Sequence, residues 1–148
     1  MLVDDEEDIL YSFKVALTSN GYHVEAFSDS QEALEWFAQG SPHFDLVILD
    51  LRMPGLNGLE LYSRLKAING DVKILFLSAL DVVPELVSIL PDIKQDDILR
   101  KPVTKEDFIN AVKKKRHISS THSAWNISPL STLHYPIIIY ILYHMCIT

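Results

Sequence analysis

With 148 residues and a hydrophobic fraction of 48%, the chain has room for one ordinary folded domain and enough apolar content to close its core. Its net charge of −7 excludes a domain that grips nucleic acid through a broad basic face. The single cysteine, Cys146, excludes an internal disulfide and suits a reducing, cytoplasmic setting; the acidic start MLVDDEEDIL lacks the basic-then-apolar form of a secretory signal.

Charge is unevenly placed. All 20 acidic and 13 basic residues lie at or before Arg116, and residues 117–148 carry none. The break predicts a domain over residues 1–116 followed by an uncharged extension over 117–148. From Pro136 the extension reads PIIIYILYHMCIT, short of the roughly 20 apolar residues that span a bilayer. Pro129 and His134 interrupt it further back, so membrane attachment is disfavoured. The extension is expected to be poorly ordered or to pack against its own domain, and its role is unassigned.

In chain order, Met1-Leu2-Val3 predicts a first strand. EEDILYSFKVALTSNG follows, with Ile9, Phe13, Ala16 and Leu17 on one helical face and Asn20-Gly21 as its stop. HVEAF alternates like a strand. Ser28 to Gln39 predicts a helix with Asp29 and Glu32 at capping-box spacing and Ala33, Leu34 and Phe37 apolar. DLVILD is a continuous apolar run, as in a strand covered on both faces. A third helix over about Gly58 to Ile68 turns Leu61, Leu65 and Ile68 inward. VKILFLS predicts a buried strand, Pro84 opens a short helix, and DDILRKP predicts a fifth strand. Thr104 and Asp107 then start a last helix with Phe108, Ala111 and Val112 on its buried side.

Five strands alternating with five helices predict an α/β fold built of right-handed βαβ units around a parallel sheet. In such a sheet ligands sit beyond the carboxyl ends of the strands. Those ends carry Asp4 and Asp5, Asp50, Ser78 and Lys101. Three carboxylates on one rim repel one another unless a cation intervenes. Hard oxygen ligands suit Mg2+, while a lysine and a hydroxyl suit the oxygens of a phosphoryl group. The chemistry implied is phosphoryl transfer to a carboxylate. Taken singly, the acidic cluster also suits a helix start and Asp50 a turn; their coincidence at the strand ends favours the site. No Gly-rich nucleotide loop is present, and the six histidines have no metal-ligand spacing.

VDDEEDI, VILDLRMPGLNG, FLSAL and LRKPV resemble the ordered signature segments of a response-regulator receiver domain of two-component signalling, over about Leu2 to Lys115. The resemblance implies a flavodoxin-like doubly wound (βα)5 fold with strand order 2-1-3-4-5. It implies that Asp50 accepts a phosphoryl group from a sensor histidine kinase or phosphotransfer protein. Asp5 would bind Mg2+ directly and Asp4 directly or through water, with Asp50 and the Arg52 carbonyl completing the protein ligands. Ser78 would bond a phosphoryl oxygen, Lys101 would pair with it, and the Lys101–Pro102 bond would be cis. The position three before the lysine, aromatic in the family, is Ile98 here, an aliphatic switch residue. The first strand is short, and the segment LPDIKQDDIL leading into the last lacks a glycine.

The expected protein is a stand-alone switch acting on an unidentified downstream protein, with homodimerisation open. It is not an enzyme beyond catalysing its own phosphorylation and dephosphorylation. Two rivals stay open. One is a receiver-like interaction module that works without phosphorylation. The other is a small aspartate-nucleophile phosphatase, although Arg52 stands where such enzymes resemble Asp-x-Asp.

Overall fold

The apolar runs become five parallel strands, and helices among the described residues cover both faces of the sheet. The computed structural model describes residues 1–40, 44–79 and 93–117. In chain order these form β1 (Leu2–Val3), α1 (Glu7–Ser19), β2 (Ala26–Phe27), α2 (Ser30–Ala38), β3 (Val47–Asp50), α3 (Gly58–Ile68), β4 (Ile74–Ala79), β5 (Ile98–Lys101) and α4 (Lys105–His117). A 3-10 turn, Gln95–Asp97, leads into β5. The short helix predicted from Pro84 and the extension beyond His117 lie outside the described residues.

The strand order is β2-β1-β3-β4-β5, with every pairing parallel. This is the predicted flavodoxin-like order. Because successive strand residues face opposite sides, the apolar runs divide into two cores. Val3, Val47, Leu49, Ile74 and Phe76 meet Ala33 and Phe37 of α2 and Leu61, Tyr62 and Leu65 of α3. On the other face, Leu2, Ile48, Leu75 and Leu77 meet Phe13 and Leu17 of α1 and Phe108, Ile109 and Val112 of α4. There the Phe13 and Phe108 rings stack with centroids 4.0 Å apart.

The starts of α2, α3 and α4 follow their capping chemistry. Asp29 Oδ1 accepts from the Glu32 N–H at 2.8 Å, opening α2. Asn57 and Glu60 form a reciprocal capping box at α3 that the sequence reading omitted. At α4, Thr104 Oγ1 accepts from the Asp107 N–H and donates to the Asp107 carboxylate, so the pair meets side chain to side chain.

Several predicted details need correction. Ile68 does not turn inward: it is 49% exposed, the last residue of α3, and belongs to neither core. On α4, Ile109 is buried as well, which the prediction left out, while Ala111 packs half-buried against the same core as expected. The strand predicted from HVEAF is confined to Ala26–Phe27, because only Leu2 and Val3 of β1 lie opposite to pair with it. Asp96 and Asp97, predicted as strand, lie in the 3-10 turn, where they form ion pairs with Lys114 and Lys115 of α4.

Candidate functional site

At the carboxyl ends of the strands, residues far apart in the chain meet. Lys101 closes β5 and extends its ammonium to Asp4 Oδ2 at 2.8 Å and Asp50 Oδ2 at 2.9 Å. These partners are 97 and 51 positions away in sequence. Asp4 follows β1 directly, and Asp50 is the last residue of β3, so adjacency of β1 and β3 in the sheet brings them together.

Each carboxylate is held from two sides. Asp4 is fully buried, and its Oδ1 accepts from the Glu6 N–H at 3.0 Å. Asp50 Oδ1 accepts from the Arg52 N–H at 3.2 Å, which places the Arg52 backbone beside it while the residue stays exposed. The turn after β3 needs a left-handed residue, and Gly55 supplies it with φ +76°. Gly58, the first residue of α3, lies against the Asp50 and Leu51 backbone so closely that no side chain fits. This approach anchors the end of β3.

Asp5 completes a cluster in which Asp4, Asp5 and Asp50 each offer a carboxylate oxygen, all within 4.8 Å of one another. Its Oδ1 is buried and has no hydrogen-bond partner. A buried carboxylate oxygen without a partner is costly. Three convergent carboxylates, one of them with such an unsatisfied oxygen, fit a hard divalent cation such as Mg2+.

Ser78 is buried on β4, one residue past Leu77, which is the partner of Asp50, and opposite Arg100 of β5. Ala79 is opposite Lys101. Ile98 opens β5 opposite Phe76 and packs against the core that α2 and α3 cover. The Lys101–Pro102 peptide is cis.

Electrostatics follow from this packing. Burial pushes the Asp4 carboxyl above the usual carboxylate range, outweighing the hydrogen bonds from Lys101 and the Glu6 N–H that pull it down. Burial pulls Lys101 downward too, but its hydrogen bonds to Asp4 and Asp50 dominate and raise it above an ordinary lysine. The two shifts oppose each other across one contact. An ammonium with two carboxylates within 3 Å stays charged, and the Lys101 direction decides the state of the pair.

Sequence reasoning missed one member of this group. Glu6 Oε1 lies 3.3 Å from the Lys101 ammonium, and the only signal was a third acid after the Asp4-Asp5 pair.

A family model for the response regulator receiver domain matches residues 1–113. The chain belongs to the response regulator receiver domain family. It is similar to the response regulator MprA of Mycolicibacterium vanbaalenii, 40% identical over 109 residues, covering 74% of this chain and 46% of the relative. Response regulator MprA of Mycobacterium leprae is 39% identical over 113 residues, covering 76% and 48%. The chain thus spans about half the length of the curated relatives it matches. Among solved structures, a receiver domain protein from Clostridium thermocellum superposes with a TM-score of 0.69 at 29% identity, over 78% of this chain and 90% of that one. The receiver domain of the Francisella response regulator 1452 gives a TM-score of 0.66 at 29% identity, over 78% and 93%. Membership in the receiver family implies phosphorylation-dependent signalling.

Proposed function

We propose that this receiver domain is a signalling switch that accepts a phosphoryl group on Asp50 from a phosphohistidine of a sensor kinase or phosphotransfer protein. The observation that carries the proposal is the Lys101 ammonium bridging Asp4 and Asp50 beside the unsatisfied Asp5 oxygen. An Asp50 carboxylate oxygen attacks phosphorus. The new P–O bond forms as the P–N bond breaks, and the donor histidine keeps the electron pair and takes up a proton. Asp4, Asp5 and Asp50, with the Arg52 carbonyl, would hold Mg2+; when bound, it neutralises charge developing on the phosphoryl oxygens.

The chain's own groups do the positioning. The Arg52 N–H orients Asp50, leaving Oδ2 toward Lys101. Lys101 pairs with a phosphoryl oxygen once Asp50 is esterified, and the Ser78 hydroxyl binds another. That product contact biases the segment after β4 and the β5–α4 face toward a partner-binding form, with Ile98 as the aliphatic element that repacks. The protein turns over no external substrate on this reading, only its own acyl phosphate. A phosphatase reading is disfavoured because Arg52 offers no carboxylic acid two residues after Asp50.

Transfer from a radiolabelled, phosphorylated histidine kinase tests the proposal. Label should pass to the parent protein when Mg2+ is present and stay on the kinase when EDTA removes it. Failure of transfer from any of a panel of kinase donors to folded, Mg2+-loaded protein would favour the phosphorylation-independent interaction module.

A further inference from the structure

Helix α1 begins without a side-chain cap. Glu6 stands at its N-cap position in extended backbone conformation and makes no capping hydrogen bond. Short polar side chains suit that position because they reach the unpaired N–H groups of the first turn. α2 and α3 have them in Asp29 and Asn57 and use them. Glu6 reaches instead to Lys101, its Oε1 3.3 Å from the ammonium. Its backbone N–H meanwhile donates to Asp4 Oδ1 at 3.0 Å. One residue therefore contacts both a carboxylate of the acidic cluster and the lysine that spans it.

An ammonium has three donors. Lys101 directs them at Asp4, Asp50 and Glu6. A divalent cation among Asp4, Asp5 and Asp50 competes for the first two acceptors. Glu6 lies outside that set, with a side chain 58% exposed.

We infer that Glu6 is a positioning residue: it retains the Lys101 ammonium at the rim of the pocket when a divalent cation engages Asp4 and Asp50, and thereby raises cation affinity. The inference rests on the Mg2+ reading above and adds a group that acts through Lys101, not on the cation. Forgoing a cap at α1 is then explained, since the residue that reaches Lys101 is too long to cap its own helix well.

The test is calorimetric titration of the full chain with Mg2+, beside thermal melting, for the parent, Glu6→Asp, Glu6→Gln, Lys101→Met and the Glu6→Asp/Lys101→Met pair. Glu6→Asp keeps the charge, shortens the reach by one methylene and supplies a better cap. It should bind Mg2+ about threefold more weakly, in the range of an exposed ion pair, while its melting temperature holds or rises. Glu6→Gln keeps the length, loses the charge and should weaken binding similarly. In the Lys101→Met background, Glu6→Asp should leave affinity nearly unchanged, because the group it acts through is gone.

Parent-like Mg2+ affinity in Glu6→Asp overturns the inference and leaves the switch reading intact. An effect of equal size in the Lys101→Met background also overturns it, since Glu6 would then act by its field alone. A folded parent that binds no Mg2+ overturns the metal reading and this inference together.

Discussion

Replacing Gly58 by alanine tests how the end of β3 is anchored. A Cβ at Gly58 would lie 2.2 Å from the Asp50 carbonyl oxygen and 2.8 Å from Leu51 Cα. Both are backbone atoms, so no side-chain rotation relieves the clash: α3 or the Asp50–Leu51 backbone must move. The Gly58 N–H also donates to the Leu51 carbonyl at 3.3 Å, a bond that outward movement of the helix would stretch. Overpacking of this kind costs about 1–3 kcal/mol. Alanine returns at most about 1 kcal/mol of helix propensity, and less at a first helical position. A net loss of about 1–2 kcal/mol follows, equivalent to a fall in melting temperature of roughly 4–8 °C per kcal/mol for a domain near this size. In urea denaturation the midpoint should fall while the slope stays constant. The displaced backbone carries Asp50, so phosphorylation should slow as well. Gly58→Ala as stable as the parent, with unchanged phosphorylation, would refute this account of the contact.

Phe108→Ala removes a fully buried ring stacked on Phe13; it should destabilise the domain by about 3–5 kcal/mol, read as a shifted denaturation midpoint, and a loss under about 1 kcal/mol would contradict the packing. Burial holds the Asp4 carboxyl above its ordinary range, so a proton competes with Mg2+ there at a higher pH than at an exposed carboxylate. Acidification puts on Asp4 a proton that the cation must displace, so Mg2+ affinity should fall as pH is lowered. Titration across a pH series reads this, with Asp4→Asn giving weaker and flatter binding; affinity that rises on acidification would count against it.

The gathering of Asp4, Asp50 and Lys101 was legible in the sequence because a parallel topology turns strand ends into neighbours. Once the apolar runs are assigned to strands, the residue after each run is placed on one rim, however distant in the chain. Helix faces were legible only in part. A period of 3.6 puts Ile68 in line with Leu61 and Leu65, but it cannot say that Leu65 is buried while Ile68, at the end of α3, stays 49% exposed. Gly58 reads as a helix start in sequence, whereas its role depends on the approach of α3 to Asp50, a tertiary distance. Glu6 was hidden differently: within DDEED any acid suits a helix start, and nothing local distinguishes the one that crosses 95 positions to Lys101. The Asn57–Glu60 box, by contrast, stands openly in NGLE.

The most direct test of the switch is the intact mass of the protein after incubation with Mg2+ and a small-molecule phosphodonor, beside Asp50→Asn under the same conditions. The parent should gain one phosphoryl group and Asp50→Asn none. A gain in both would place the acceptor on another residue. No gain in a folded, Mg2+-binding parent with any of several donors would contradict the claim that Asp50 is a phospho-acceptor.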